Sequence, residues 1–166
     1  MVRKTAGMML VMTSALFVMA CTKKVVDSSI TPAPNSKMSA QLAQPLGQVG
    51  SPSARGAVES FLTAVKGQDL RGMSAMWGNE KGPTADRINR EELEKRLIVI
   101  QCMLSHEQWE FAEDRARLVT GGRQEHMVTL QQKSQKATTK LTTVVGQGGR
   151  WFVEDIDLNP MKEFCR

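Results

Sequence analysis

Apolar residues recur every three or four positions in three stretches between residues 54 and 104, a spacing typical of amphipathic helices. The apolar face of the first stretch consists of Val58, Phe61, Leu62 and Val65. Ser51 can cap this helix and Pro52 suits its first turn, because the first backbone N–H groups of a helix have no partner within it. After the break at "KGQD", a shorter second helix is predicted, with an apolar stripe of Leu70, Met73, Met76 and Trp77.

The third stretch, "NREELEKRLIVIQCML", carries further helix signals. Asn89 stands three residues before Glu92, which is the spacing of a capping box at a helix start. Glu91 and Lys95, like Glu92 and Arg96, are four residues apart and can form ion pairs on the exposed face. The inner face is predicted to hold Leu93, Leu97, Ile100 and either Met103 or Leu104.

From about Glu107 the pattern changes to a period of two, which is typical of strands. The segments "EQWEFA", "HMVTLQ" and "KATTKLTTVV" alternate, and "RWFVEDIDL" is rich in β-forming residues. Turn residues separate them at 121–122, 133–135 and 146–149. The order predicts an α+β fold, with about three N-terminal helices packed on a curved antiparallel sheet of about four strands.

The first twenty residues are mostly apolar but too short to cross a membrane. Arg3 and Lys4 precede an apolar run of about 14 residues, whereas a spanning helix needs about 20. This arrangement predicts a signal peptide over residues 1–20.

The end of that run, "VMAC" at residues 18–21, resembles the lipobox of bacterial lipoproteins. Val18 and Ala20 match the pattern, and Met19 is larger than the usual residue. The resemblance implies cleavage before Cys21, acylation of its thiol and a lipid anchor in the cell envelope, with Thr22 fitting an outer membrane facing the periplasm if the cell is Gram-negative. Two acyl chains anchor stably where one binds only marginally. An ordinary signal peptide with an incidental cysteine, or an uncleaved anchor, remains the alternative.

Residues 21–50 join this anchor to the domain predicted over residues 51–166. The segment is rich in Pro, Ser, Ala, Gln and Gly and has no lasting apolar period, which predicts a disordered linker. About 30 flexible residues span roughly 30 Å. A short helix at "SKMSAQLAQ" is the alternative for part of it.

The domain resembles NTF2-like domains of the SnoaL-like superfamily. Gly67, Asp69, Met73 and Trp77 occupy the "G-D…W" pattern of the second helix of that family, and "GGRWFVEDIDL" is similar to its last strand. The resemblance implies a cone-shaped fold over about residues 55–166. Some members of that family are isomerases, dehydratases or cyclases, and many are binding or dimerisation modules without catalysis.

Charge argues against nucleic acid as a partner. The whole chain has 22 basic and 17 acidic side chains, and Arg3 and Lys4 fall in the predicted signal peptide. The remaining excess of about three positive charges comes without a basic cluster or an aromatic ladder.

Cys102 and Cys165 remain as an even pair once Cys21 is assigned to lipidation. In an exported chain such a pair favours a disulfide, and two buried free thiols are the alternative. His106 is the one nearby ligand type for Cys102, which is too few for a metal site, so no metal and no cofactor are predicted.

The candidate catalytic residues are Asp155 and His126. Alternation along the last strand would place Trp151, Val153, Asp155 and Asp157 on one face, so Asp155 could point into a pocket as a general base. His126 is the best-placed histidine, in register with Val128 and Leu130; His106, Asp157, Glu110 and Glu154 are weaker candidates. Alternatively, the two aspartates pair with Arg150 or lysines or cap the terminal turn, and His126 lies in solvent.

Four aromatic residues could line an apolar pocket, or could simply fill the core: Trp77, Trp109, Phe111 and Trp151. The sequence therefore favours a membrane-anchored, non-catalytic module that binds a small apolar ligand or a protein partner, including a second copy through the sheet face. An isomerase- or dehydratase-type enzyme and a structural or stress-related envelope protein without a ligand are the alternatives.

Overall fold

A computed structural model of the chain describes residues 49–166, which form an α+β domain. Three α-helices come first: α1 is Ala54–Lys66, α2 is Leu70–Met76 and α3 is Arg90–Met103. None of the helices in this range is both long and apolar enough to cross a bilayer. The predicted signal peptide, Cys21 and the predicted linker up to residue 48 lie outside the described residues.

The helix ends follow local capping chemistry, with one correction to the prediction. Ser53, not Ser51, caps α1, and its hydroxyl accepts a hydrogen bond from the Gly56 N–H. Ser51 instead pairs with Trp151 through both its backbone N–H and its backbone C=O. Asp69 caps α2 and Asn89 caps α3, and the Asn89 side chain accepts from the Glu92 N–H as predicted.

The main sheet has five antiparallel strands, one more than the four predicted from the sequence. They are β3 Gln108–Phe111, β4 Arg117–Val119, β5 Arg123–Gln132, β6 Gln135–Val145 and β7 Trp151–Ile156. The order is β3-β5-β6-β7, and β4 pairs with the beginning of β5 on the same side as β3. Two further short strands, β1 Gly78–Asn79 and β2 Gly82–Pro83, form a separate hairpin within the predicted loop after α2.

An irregularity in β7 changes which residues face the helices. Thr142 of β6 lies opposite Asp155, but the next residue, Thr143, lies opposite Val153, so Glu154 is an extra residue in β7. A bulge of this kind interrupts the alternation of side chains along a strand. The predicted common face of Val153 and Asp155 is therefore wrong, because Val153 faces the helices and Asp155 faces away from them.

The main core lies between the helices and one face of the sheet. Helix α1 contacts β5, β6 and β7, and a short 3₁₀ segment at Asn159–Cys165 packs against α3 and β6. The predicted apolar faces of the helices are buried except at Trp77, which follows the end of α2 and is half-buried, and Leu104 rather than Met103 completes the face of α3. The largest core side chains are almost fully buried, including Phe61, Leu62, Met73, Leu97, Leu104, Leu130, Leu141 and Met161. These side chains pack between the helices and the sheet.

Phe152 occupies a second buried place on the opposite face of the sheet, beneath the β1–β2 hairpin. Its side chain is 2% exposed, although it does not belong to the main core. A Cβ atom at Gly50, Gly78 or Gly146 would lie 2.8 Å from the Phe152 ring. These three positions exclude a side chain because the backbone itself covers the ring.

Arg123 links this hairpin to the sheet through two carboxylates. Its guanidinium donates to Glu154 of β7, at 2.9 Å for one of the bonds, and to Glu80 in the turn between β1 and β2. Glu154, the extra residue of the bulge, thus accepts hydrogen bonds from Arg123. Through Arg123 it is linked to the β1–β2 hairpin that covers Phe152.

Candidate functional site

His126 lies on the helix-facing side of β5 and is 5% exposed, so the alternative that placed it in solvent is wrong. Its Nε2 atom lies 3.2 Å from the Thr143 hydroxyl, and that hydroxyl donates to the Gln124 carbonyl at 3.2 Å. Because the hydroxyl hydrogen is used in this way, the hydroxyl oxygen can accept a hydrogen bond from the Nε2–H of His126.

Phe111 lies beside the histidine ring, and Arg55 stacks on Phe111. The rings of Phe111 and His126 are 6.0 Å apart, and the Arg55 guanidinium stacks 3.7 Å from the centre of the Phe111 ring. Arg55 also pairs with Glu59 at 3.2 Å. Burial lowers the pKa of His126 below its usual value, and the charge of Arg55 lowers it further. The protein therefore favours the neutral imidazole.

His106, in the turn after α3, is similarly buried, with 6% exposed. Its Nδ1 donates to the Leu104 carbonyl at 2.8 Å, and its buried Nε2 has no hydrogen-bond partner among residues 49–166. Burial lowers the pKa of His106; the bond to Leu104 opposes this, and the charge of Lys66 adds to it. This histidine too is more stable without a second proton.

The two histidines predict that the domain loses stability as the pH falls below about 6.5. Both histidines have a lower pKa in the folded chain than in the unfolded chain. Their contribution to the free energy of unfolding is therefore complete above the pKa of the unfolded chain and is lost below it. We expect the urea midpoint of unfolding to be lower at pH 5.5 than at pH 7.5. The His106→Gln/His126→Gln variant should show a smaller difference between the two pH values, and an unchanged difference would contradict this assignment.

The candidate carboxylates do not join His126. Asp155 is exposed and lies on the opposite face of the sheet, in register with Thr142. Asp157 accepts hydrogen bonds from the backbone and side chain of Asn159, which agrees with the alternative that it caps the terminal turn. Glu154 pairs with Arg123, and Glu110 pairs with Lys136 on the surface. None of these four carboxylates is therefore a partner for His126.

The four aromatic residues predicted to line a pocket are half-buried at the margin of the core. Trp109, Phe111, Trp151 and Trp77 all pack against core side chains. Trp109 and Phe111 also contact each other edge to face, with ring centres 5.3 Å apart. Trp109 also lines a pocket of about 250 Å³ with polar neighbours on β3 and β5, and Trp77 borders an open groove on α3.

That groove, here called the α3 groove, is lined by Trp77, Lys95, Arg96, Val99 and Ile100 and has a volume of about 360 Å³. Val99 is 55% exposed and its neighbour Ile98 is 39% exposed. Lys95 and Arg96 form the charged part of the lining, and each pairs at 2.7 Å with a glutamate one turn earlier in the helix. The exposed apolar surface of the groove is therefore small, and it is bordered by charged groups.

Cys102 and Cys165 are joined by a disulfide, with their Cα atoms 5.1 Å apart. The bond connects the last turn of α3 to the end of the C-terminal 3₁₀ segment. Within residues 49–166, no cluster of three or more His, Cys, Asp or Glu side chains is arranged to hold a metal ion.

Sequence reasoning missed the α3 groove, although a signal for it is present. Ile98 and Val99 are apolar but fall outside the spacing of Leu93, Leu97 and Ile100, so a helix that buries those three residues must expose the other two. A scan against protein-family models, a search of curated proteins and a search of solved structures each returned no match.

Proposed function

We propose that this chain is a bacterial envelope lipoprotein, anchored through acyl chains on Cys21, whose folded domain is an NTF2-like, non-catalytic protein-interaction module. The anchor rests on "VMAC" at residues 18–21, where a short apolar run ends at a cysteine. The NTF2-like assignment rests on the sequence motifs and on the order of three helices followed by an antiparallel sheet.

The observation that carries the interaction role is the exposed Val99 beside the half-buried Trp77 in the α3 groove. This groove is open to solvent, whereas the apolar side chains between the helices and the sheet are buried. An isomerase- or dehydratase-type reaction needs a base in contact with its substrate. His126 is buried beneath Phe111, and Asp155 lies on the other face of the sheet, so these two residues do not form such a site.

The Cys21→Ala variant tests the anchor. It should lose incorporation of labelled fatty acid and should no longer be processed at residue 21, because the acylated thiol is absent. Cys102→Ser/Cys165→Ser is the matched control, since it removes the other two cysteines and should keep the label. Equal labelling of Cys21→Ala and the unchanged chain would contradict the proposal.

A further inference from the structure

We propose that the Cys102–Cys165 disulfide is a thiol–disulfide exchange site, and that its reduction by a dithiol releases the C-terminal segment, residues 159–166, from a domain that otherwise stays folded. The chain then has a closed, oxidised form and an open, reduced form. The inference goes beyond the proposed function, because it concerns the folded domain and depends neither on the anchor nor on the α3 groove.

The disulfide lies where a dissolved reductant can reach it. Cys102 is in the last turn of α3, and Cys165 is followed by a single residue. Both cysteines are exposed. Thiol–disulfide exchange requires that a thiolate reaches one of the two sulfur atoms. The surface position of the pair meets this requirement without unfolding of the domain.

Polar contacts do not hold the C-terminal segment on the domain. Among residues 49–166, every hydrogen bond and ion pair of residues 159–166 is made within the range 157–166. Asn159 bonds to Asp157, and Arg166 pairs with Glu163 at 2.6 Å. Apart from apolar packing and the continuing chain, the disulfide is therefore the one tie from this segment to the rest of the described domain.

Apolar packing competes with chain entropy once this tie is broken. Met161 is fully buried and Phe164 is 6% exposed, in a segment that packs against α3 and β6. Burial of these two side chains must offset the conformational entropy of eight ordered residues. A cleft of about 220 Å³ lies between the segment and the turn at residues 132–135, and Phe164 is part of its lining. The crosslink therefore determines whether the segment stays bound.

The exchange reaction conserves atoms and electrons. A thiolate of the dithiol attacks one sulfur of the pair, which breaks the S–S bond and forms a mixed disulfide. The other cysteine leaves as a thiolate and takes a proton from solvent. The second thiol of the reductant then loses its proton and displaces the first cysteine, which is protonated in turn. Two electrons have passed to the chain, which holds two thiols, and the reductant has become a disulfide.

Thiol labelling of the folded, full-length chain tests the exchange. Dithiothreitol is added at pH 7.5 without denaturant, the reaction is stopped with N-ethylmaleimide, and the intact mass counts the labels. We expect two more labels than without dithiothreitol, gained at a rate within about tenfold of the rate in urea, because the bond is already accessible. Cys102→Ser/Cys165→Ser is the blank and should gain none. No gain until urea unfolds the chain would overturn the exchange site.

Hydrogen–deuterium exchange tests the release of the segment. A segment that opens locally exposes its amide groups to solvent while the rest of the domain stays protected. In the reduced chain, the amides of residues 159–166 should therefore exchange about tenfold faster or more than in the oxidised chain, and those of α1 should change less than about twofold. Cys102→Ser/Cys165→Ser should match the reduced chain, with or without dithiothreitol.

Equal exchange of residues 159–166 in the oxidised and reduced chains would overturn the release, because apolar packing would then suffice to hold the segment. An increase of the same size in α1 would also overturn it, because reduction would then unfold the whole domain. So would a folded Cys102→Ser/Cys165→Ser variant that exchanges as slowly as the oxidised chain. If that variant does not fold, the reduced unchanged chain still provides both measurements.

Discussion

The Cys165→Ser variant should unfold with a free energy about 4 kcal/mol lower than that of the unchanged chain. The disulfide to Cys102 closes a loop with a sequence separation of 63 residues, and chain-entropy arithmetic gives about 4 kcal/mol for a loop of that size. Both cysteines are exposed, so serine at position 165 leaves no large cavity. The loss should therefore report the crosslink itself, and urea unfolding at pH 7.5 measures it.

The disulfide lies in the C-terminal 3₁₀ segment. Two residues of that segment, Met161 and Phe164, are buried, and the crosslinked Cys165 is next to Phe164. The double variant Cys102→Ser/Cys165→Ser should match the single variant to within about 0.5 kcal/mol, because surface substitutions usually cost no more than that. Equal unfolding of oxidised, reduced and substituted chains would show that the disulfide does not stabilise the domain.

The Phe152→Ala variant should lose about 3–5 kcal/mol of unfolding free energy, the usual cost of removing a buried phenylalanine side chain. The surrounding backbone cannot easily fill the space, because Gly50, Gly78 and Gly146 have no side chains to move into it. The β1–β2 hairpin would then lose the surface against which it packs. Chemical denaturation at neutral pH measures the effect.

Two controls separate this effect from a general sensitivity of β7. Phe152→Leu conserves most of the volume and should cost less than about 1.5 kcal/mol. Leu118→Ala, at an exposed position on β4, should change the stability by no more than about 0.5 kcal/mol. If Phe152→Ala is as stable as Leu118→Ala, Phe152 does not support the hairpin.

The three helices could be predicted from the sequence because their signals are local. The spacing of Val58, Phe61 and Leu62 fixes which face of α1 is buried, and Asn89 marks the beginning of α3. The start of α1 was placed wrongly because Ser51 and Ser53 are equally good caps. The two serines differ because the backbone of Ser51 pairs with Trp151, a residue 100 positions away.

The orientation of the candidate site could not be predicted, because it depends on a single extra residue in β7. Alternation is a reliable guide only while both strands advance in step. The bulge at Glu154 turns Asp155 away from the helices. The segment "RWFVEDIDL" contains no glycine or proline that would indicate a bulge. One irregularity of register thus places Asp155, the predicted general base, on the opposite face of the sheet from His126.

The short strands were missed for a different reason. Strands β1 and β2 have two residues each and β4 has three, too few to show a period. They form because longer strands and Phe152 provide surfaces for them, so their cause lies in tertiary contacts rather than in their own sequence.

Intact-mass spectrometry of the protein extracted from membranes tests the central proposal, a lipoprotein anchored at Cys21, most directly. The account predicts the mass of a chain that begins at Cys21, increased by at least two acyl chains and reduced by two hydrogens for the Cys102–Cys165 disulfide. The unmodified mass of the whole 18.4 kDa chain, or of a chain cut elsewhere without lipid, would contradict it.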